Sequence, residues 1–110
     1  MDGIYRLAAC AMLGMVASSA AQADPGMDPA SSKGCMACHQ VDTKRVGPPL
    51  RGVAERYAGE PRALDYLSDK IRHGSRGDWG AVPMPAQSQV SDAEARDLVN
   101  WVLSLSPAAR

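Results

Sequence analysis

The chain has 110 residues, with 12 lysines and arginines balanced by 12 acidic residues, three cysteines and no phenylalanine. This length allows one domain, and the hydrophobic fraction of 45% is that of a globular protein rather than a disordered one. Zero net charge gives no support for binding to nucleic acid or to an anionic membrane, because both require a basic surface.

The first 23 residues have the features of a cleaved secretory signal peptide. An apolar stretch over residues 7–17 has the length of a signal-peptide core and is too short to span a bilayer. Residues 21–23 then read Ala-Gln-Ala, the small-x-small pattern that a signal peptidase accepts, so we expect cleavage before Asp24. An uncleaved anchor and a lipoprotein signal at Cys10 are the alternatives. The short apolar core argues against the first, and the early position of the cysteine argues against the second.

Cleavage would leave residues 24–110 as a single domain of 87 residues with one pair of cysteines. A domain of this size gains little stability from its own core and usually needs disulfides, a metal or a cofactor. One cysteine pair cannot form a disulfide framework, so we expect a bound group to complete the core. The signal segment also predicts that the protein is exported.

The first half of this domain is predicted to contain two short helices. No segment alternates with the two-residue period of a strand, so we expect an all-α domain of three to five short helices. The first helix is expected to start with Asp28 as N-cap and Pro29 as first residue, and to run into residues 35–39. The second is predicted over residues 50–58 and is ended by Gly59.

The third helix is predicted to begin near Pro61 and to end at Gly74, with a buried stripe of Leu64, Leu67 and Ile71. It is followed by a segment rich in glycine, proline and serine, which is too long for an ordinary connection and is therefore expected to be functional.

That segment spans residues 74–90, and the last helix follows it. Ser91 and Glu94 form the S-x-x-E pattern of a capping box, which predicts the start of this helix. Trp101 lies beside its apolar face and is expected in the core.

Residues 35–39 read C-x-x-C-H, the covalent attachment site of a c-type haem. Cys35 and Cys38 can reach the vinyl groups on one edge of a porphyrin, and His39 then lies beneath the ring, where its imidazole binds the iron. A structural zinc site needs four ligands, and beyond Cys35, Cys38 and His39 only His73 remains. A redox dithiol would need a strand–helix–strand setting, and a disulfide here would close a very small loop. The export signal favours one covalently attached haem c.

Met84 is the expected second iron ligand. It lies 45 residues after His39, and Pro83 and Pro85 fix the backbone on both sides of it, which suits a residue held at one point. Met27 and Met36 lie near the attachment turn, on the same side of the haem as His39. His73 is kept as an alternative ligand. The other candidate donors are Lys33, Lys44 and Lys70.

Together, the motifs of this domain resemble those of the small bacterial class I cytochromes c, the short periplasmic mono-haem carriers of denitrification and aerobic respiration. The matching motifs, in order, are Cys35–His39, Val46-Gly47-Pro48, Gly74-Ser75, Trp79-Gly80, Val82-Pro83-Met84-Pro85 and Trp101-Val102-Leu103. The resemblance covers residues 24–110. It implies the class I cytochrome c fold, with His39 and Met84 as axial ligands.

The resemblance also implies roles for residues around the haem. The Pro48 carbonyl would accept the second ring N–H of His39, and Trp79 would donate its indole N–H to a haem propionate. Lys70 stands where relatives often have an arginine that pairs with a propionate, but lysine cannot form the bidentate contact. Gln87 stands where relatives can have an asparagine that bonds to the methionine sulfur.

Apolar side chains would line the same pocket, and the first helix would pack on the last through Gly34 and Trp101. The expected lining consists of Val46, Leu50, Val53, Leu67, Ile71, Val82 and Leu98.

Iron with two protein ligands has no open position for a substrate, so the predicted protein is a one-electron carrier and not an enzyme. Expected partners are respiratory redox proteins, such as a nitrite reductase, an oxidase or a peroxidase, which dock transiently at an apolar rim around the haem edge. Neither nucleic acid nor a small-molecule substrate is expected, and the protein is predicted to be a monomer that is not embedded in a membrane. The expected rim consists of Met36, Val46, Val82, Pro83 and Ala86.

Charge and coordination leave alternatives to this function. Residues 33–76 contain nine basic and five acidic side chains, which could steer an acidic partner instead of an apolar one. A haem-based enzyme or gas sensor would require Met84 to leave the iron. A dedicated subunit of one dehydrogenase or oxidase would form a stable complex rather than diffuse freely.

Overall fold

Four short α-helices and one 3₁₀ turn form the part of the chain that the computed structural model describes, residues 14–18 and 25–107. The helices are α1 (Met27–Ser32), α2 (Leu50–Arg56), α3 (Ala63–His73) and α4 (Asp92–Ser104), and the 3₁₀ turn is Cys35–Ala37. The predicted all-α class is therefore confirmed. Most of the predicted signal peptide, including its cleavage site, lies outside the described residues. Among the described helices, none is both long enough and apolar enough to cross a bilayer.

The first helix differs from the prediction at both ends. It begins at Met27, after Gly26 as N-cap, and ends at Ser32 instead of continuing into the haem-attachment motif. Gly34 adopts a left-handed conformation with φ of 84°, which interrupts the helical path before Cys35. As a result, the attachment motif begins in a separate 3₁₀ turn.

A glycine ends the third helix, as the sequence predicts, whereas the second helix ends before its predicted stop at Gly59. α2 stops at Arg56, two residues before the predicted end, because the chain turns before Gly59, which has φ of 73°. At the end of α3, the Gly74 N–H donates to the Lys70 carbonyl and the backbone leaves the helix with φ of 87°. A side chain at Gly74 would lie 2.9 Å from the Met84 carbonyl oxygen, so this glycine also permits the close approach of that loop.

The last helix organises the core, since it packs against both α2 and α3. Trp101 is buried as predicted, but its contact with the first helix is different from the expected one. A Cβ on Gly26 would lie 1.9 Å from the Trp101 ring, whereas Gly34 has no neighbour within 4 Å of its Cβ position. α1 therefore meets α4 through Gly26. The buried core cluster consists of Ala30, Leu50, Ala54, Val90, Ala95, Leu98, Trp101 and Leu105.

The predicted capping box is present at the start of α4. The Ser91 N–H donates to Glu94 Oε1 over 3.0 Å, and the Glu94 N–H donates to Ser91 Oγ over 3.1 Å. Lys33 Nζ lies 2.6 Å from Glu94 Oε2, so the same carboxylate also connects α4 with the segment before Cys35. The hydrogen bonds from Lys33 and Ser91 lower the pKa of Glu94 from 4.5 to about 2.

Replacing Glu94 with glutamine should lower the melting temperature at pH 7 by a few degrees. The folded-state pKa is below the unfolded one, so the carboxylate contributes its full stability above about pH 4.5 and loses it as the pH falls toward about 2. Thermal unfolding of wild type and Glu94→Gln at pH 7 and at pH 2 measures this. If the difference in melting temperature between the two proteins were as large at pH 2 as at pH 7, the carboxylate charge would not be its cause.

Candidate haem-binding site

A cavity of about 390 Å³ lies between α2, α3, α4 and the loops around the attachment motif and Met84. Most of the surface that lines it is apolar. A larger groove beside Tyr57 is more open to solvent and contains none of the predicted site residues. The nine residues predicted to bind the cofactor all line the cavity: Cys35, Cys38, His39, Val46, Pro48, Lys70, Ile71, Trp79 and Met84.

His39 is held in a defined orientation at one side of this cavity. Its N–H donates to the Cys35 carbonyl over 3.0 Å, which continues the attachment turn. Its ring Nδ1 lies 2.8 Å from the Pro48 carbonyl oxygen. A carbonyl oxygen can only accept, so Nδ1 carries the proton and Nε2 keeps a lone pair that can bind a metal. The contact implied for Pro48 is thus present.

Gly47 makes this arrangement possible, a role that the sequence analysis did not assign to it. Its N–H donates to the Cys38 carbonyl over 2.8 Å, which draws the loop against the attachment motif. A Cβ at this position would lie 2.6 Å from His39 Cε1 and 2.9 Å from Nδ1. Only glycine therefore leaves the imidazole in its observed place.

Gly47→Ala should tilt or displace the His39 ring and reduce haem incorporation to a small fraction of wild type. The haem content per protein, from the ratio of Soret to protein absorbance, measures this. Gly52→Ala is the matched control, because its Cβ would meet only side-chain carbons of Pro49, at 3.2 and 3.8 Å. Equal haem content in the two variants would contradict the assigned role of Gly47.

Cys35 and Cys38 are both free thiols, so the described chain has no disulfide between them. Burial raises the pKa of the Cys35 thiol, the opposite of the lowered pKa that a reactive dithiol needs. Among residues 14–18 and 25–107, no group of three or more His, Cys, Asp or Glu side chains is placed to hold a metal ion. The geometry therefore supports neither the dithiol alternative nor the zinc site.

Met84 enters the cavity from the loop after α3, and hydrogen bonds hold its main chain in place. Met84 and Ser75 exchange both of their backbone hydrogen bonds, over 2.9 and 3.0 Å. The Gln87 N–H donates to the Ile71 carbonyl over 2.9 Å, which ties the same loop to α3. By contrast, the alternative ligand His73 is exposed, pairs with Asp69 at 2.9 Å and does not line the cavity.

The side chain of Gln87 forms hydrogen bonds within the loop. Its Nε2 donates to the Pro85 carbonyl over 2.8 Å, and its Oε1 accepts from Gln89 Nε2 over 2.8 Å. These bonds use the Gln87 oxygen and one of the two N–H groups of its amide, both within the loop. The bond to the Met84 sulfur that the resemblance implies stays a prediction.

Lys70 and Trp79 lie at the mouth of the cavity, each against a neighbour that the sequence did not indicate. Lys70 Nζ lies 5.1 Å from the centre of the Tyr66 ring. The Arg56 guanidinium stacks on Trp79, 4.5 Å from the ring centre, and donates to the Asp78 carbonyl over 2.6 Å. Arg56 itself lines the more open groove beside Tyr57 and not the cavity, so it acts on the cavity only through its contact with Trp79. No spacing signal connects α2 with the loop at residue 79, so Arg56 could not be found from the sequence.

Comparison with known proteins gives consistent matches along this whole region. Residues 23–106 match the cytochrome c family. The chain is 54% identical over 76 residues to cytochrome c-552 of Hydrogenobacter thermophilus, covering 69% of this chain and 76% of that protein. It is 48% identical over 101 residues to cytochrome c-552 of Nitrosomonas europaea, covering 86% and 96%.

The crystal structure of wild-type Nitrosomonas europaea cytochrome c552 superimposes with a TM-score of 0.70 at 49% identity, covering 72% of this chain and 98% of that one. Class 1 cytochrome MtoD of Sideroxydans lithotrophicus is similar with a TM-score of 0.60 at 27% identity, covering 73% and 91%. The cavity and the two cysteines suit the cofactor of these proteins, since its ring needs an apolar pocket and its vinyl groups need two thiols. This chain therefore belongs to the cytochrome c family, as a small class I cytochrome c that carries haem c attached through Cys35 and Cys38 and acts as a haem-based electron carrier.

Proposed function

We propose that this protein is a periplasmic one-electron carrier in which His39 and Met84 bind the haem iron, and that it shuttles electrons between respiratory redox proteins. The observation that carries the proposal is that both residues line one cavity and both are held in place. His39 is held by the Pro48 carbonyl, and Met84 is held by the Ser75 backbone. Such a site offers the iron two ligands, one with a fixed ring orientation and one on a fixed main chain.

Two protein ligands leave the iron no open position, which favours electron transfer over catalysis. A thioether is a weak donor and stabilises Fe(II) relative to Fe(III), and the apolar lining disfavours the extra charge of the oxidised state. Both effects raise the reduction potential. We therefore propose a non-enzymatic role with a positive potential.

The remaining predicted residues have supporting roles in this proposal. Pro48 fixes the tautomer of His39, and Val46 and Ile71 supply apolar walls of the cavity. Trp79 and Lys70 lie at the mouth, where an N–H donor and a cation suit the propionates of the haem. Lys70 supplies a point charge there, since it has no bidentate geometry.

Partners are proposed to dock at the apolar rim beside the cavity. Val46 is 53% exposed and Val82 is 66% exposed, and Pro83 and Ala86 are exposed as well. Met36 is half-buried and packs against the core, so it contributes less to this surface. Transient redox contacts are small, and because this rim is apolar rather than charged, electron-transfer rates should fall little with added salt. A steep fall in electron-transfer rate with added salt would instead favour the basic segment 33–76.

The location is proposed from residues 1–23, read as a signal peptide that leaves a domain of residues 24–110. Expression of the full chain in a bacterium and N-terminal sequencing of the periplasmic protein test this. We expect a mature chain that begins at Asp24. A membrane-bound product that keeps residue 1 would contradict it.

Voltammetry of the purified mature protein tests the carrier proposal. We expect a reversible wave with the slope of one electron, about 59 mV per tenfold change, at a positive potential that carbon monoxide does not alter. A negative potential, or a wave displaced by carbon monoxide, would favour a ligand-binding sensor. Purification only as a stable complex with one redox enzyme would favour a dedicated subunit.

A further inference from the structure

Backbone hydrogen bonds tie the loop that carries Met84, here called the Met84 loop (residues 76–90), mainly to one side of the molecule. The Ser75–Met84 pair and the bond from Gln87 N–H to the Ile71 carbonyl both connect it with α3 or the residues directly after α3. Neither of these bonds connects the Met84 loop with the segment that carries Cys35 and His39. A carrier with one ligand on each segment requires a constant distance between the two.

Lys33 and Gln89 connect these two segments across 56 residues of sequence. Gln89 Nε2 donates to the Lys33 carbonyl over 3.0 Å, and Lys33 Nζ lies 3.5 Å from the Gln89 carbonyl. Each side chain thus reaches the main chain of the other residue, a pair of contacts that we call the Lys33–Gln89 clasp. Lys33 lies two residues before Cys35, and Gln89 lies five residues after Met84.

Further contacts extend the clasp on both sides. Lys33 Nζ lies 2.6 Å from Glu94 Oε2, which fixes the ammonium on α4. Gln89 Nε2 also donates to Gln87 Oε1 over 2.8 Å, and Gln87 Nε2 donates to the Pro85 carbonyl over 2.8 Å. A continuous series of hydrogen bonds therefore runs from Lys33 to the residue directly after Met84.

We propose that Lys33 and Gln89 are positioning residues that hold the Met84 loop against the haem-attachment segment and thereby strengthen the bond between Met84 and iron. This inference rests on the proposed function, because it requires Met84 to be the ligand. Without the clasp, the loop keeps its bonds to α3 but can move away from the Cys35 side. An external ligand then displaces Met84 more easily, since local opening of the loop is less costly.

Titration of the oxidised holoprotein with imidazole tests the inference. Imidazole replaces the thioether, and loss of the weak far-red absorption band of Met–Fe(III) reports the exchange. Gln89→Ala should raise the apparent imidazole affinity about fivefold, the effect of one lost hydrogen bond to the main chain. Lys33→Met removes the ammonium and should raise the imidazole affinity by a similar factor. The double variant should raise this affinity on the order of 20-fold if the two contacts act independently.

The matched control is Asp65→Asn, which removes an ion pair of 2.9 Å between Arg96 and Asp65 that connects α3 with α4 away from the Met84 loop. Its imidazole affinity should equal that of wild type, even where its melting temperature is lower. Gln89→Met is a second variant, matched to glutamine in length but without the donor, and should give the same rise as Gln89→Ala.

The outcomes separate this inference from the function on which it rests. A wild type with the far-red band and clasp variants with unchanged imidazole affinity would overturn the inference and leave the carrier intact. An equal rise in imidazole affinity in Asp65→Asn and Gln89→Ala would show that the clasp contributes only to general stability. That result would also overturn the inference. A wild type without the far-red band would overturn the proposed function itself.

Discussion

Met84→Ala is expected to abolish the far-red band of the oxidised protein and to let the reduced protein bind carbon monoxide. The alanine side chain cannot reach the iron, so one axial position becomes free for an external ligand. Loss of the thioether also removes its preference for Fe(II). We expect the reduction potential to fall by on the order of 100 mV, about 50-fold in the equilibrium constant for a one-electron couple.

Met27→Ala is the matched control for this experiment. Met27 packs against the buried core from α1 and does not line the cavity. Its variant should keep the far-red band, the potential and the resistance to carbon monoxide, and lose only stability. If Met84→Ala kept the far-red band, another side chain would have to be the ligand, and the His39/Met84 assignment would be wrong.

The second large effect is expected when the haem cannot be attached. Cys35→Ser/Cys38→Ser, purified without haem, should lose most of the helical circular dichroism signal of the holoprotein. An empty cavity of about 390 Å³ costs about 9 kcal/mol at about 24 cal/mol per Å³. That cost is comparable to the total stability of a typical domain, about 5–15 kcal/mol. The cavity should therefore not persist without its cofactor.

Cys10→Ser is the control with the same chemical change. Cys10 lies in the segment that we propose is removed on export, so this variant should yield mature holoprotein identical to wild type. A haem-free double variant that unfolds cooperatively near the melting temperature of the holoprotein would contradict the account, since the chain would then have a sufficient core of its own.

The features that could be predicted from the sequence are those that depend on neighbours in the chain. The capping box at Ser91 and Glu94 and the end of α3 at Gly74 each depend on a few adjacent residues. The C-x-x-C-H motif likewise implies its chemistry from its own spacing. For this reason the all-α class and the last helix could be predicted correctly.

The contacts that could not be predicted join segments that are far apart in sequence. Gly26 lies against Trp101, and Arg56 stacks on Trp79, because the tertiary fold brings these positions together. Nothing in the local sequence around either pair indicates its partner. The early end of α1 has a different cause. A glycine such as Gly34 is compatible with a helix until the chain is required to turn there.

The loop after α3 has both features that neighbouring residues predict and contacts that only the tertiary fold creates. Its length and its prolines around Met84 indicate function from sequence alone. The hydrogen bonds that join it to Ser75, Ile71 and Lys33 depend on the arrangement of the helices. The sequence thus proposes Met84 as the ligand, whereas the bonds that hold its loop could not be predicted from it.

The absorption spectrum of the purified wild-type protein, oxidised and then reduced under carbon monoxide, decides between a closed and an open haem iron. Our proposal is that His39 and Met84 together close the iron to external ligands. It predicts a weak far-red band in the oxidised protein and a sharp reduced α band that carbon monoxide leaves unchanged. An oxidised spectrum without the far-red band, together with rapid carbon monoxide binding on reduction, would contradict it.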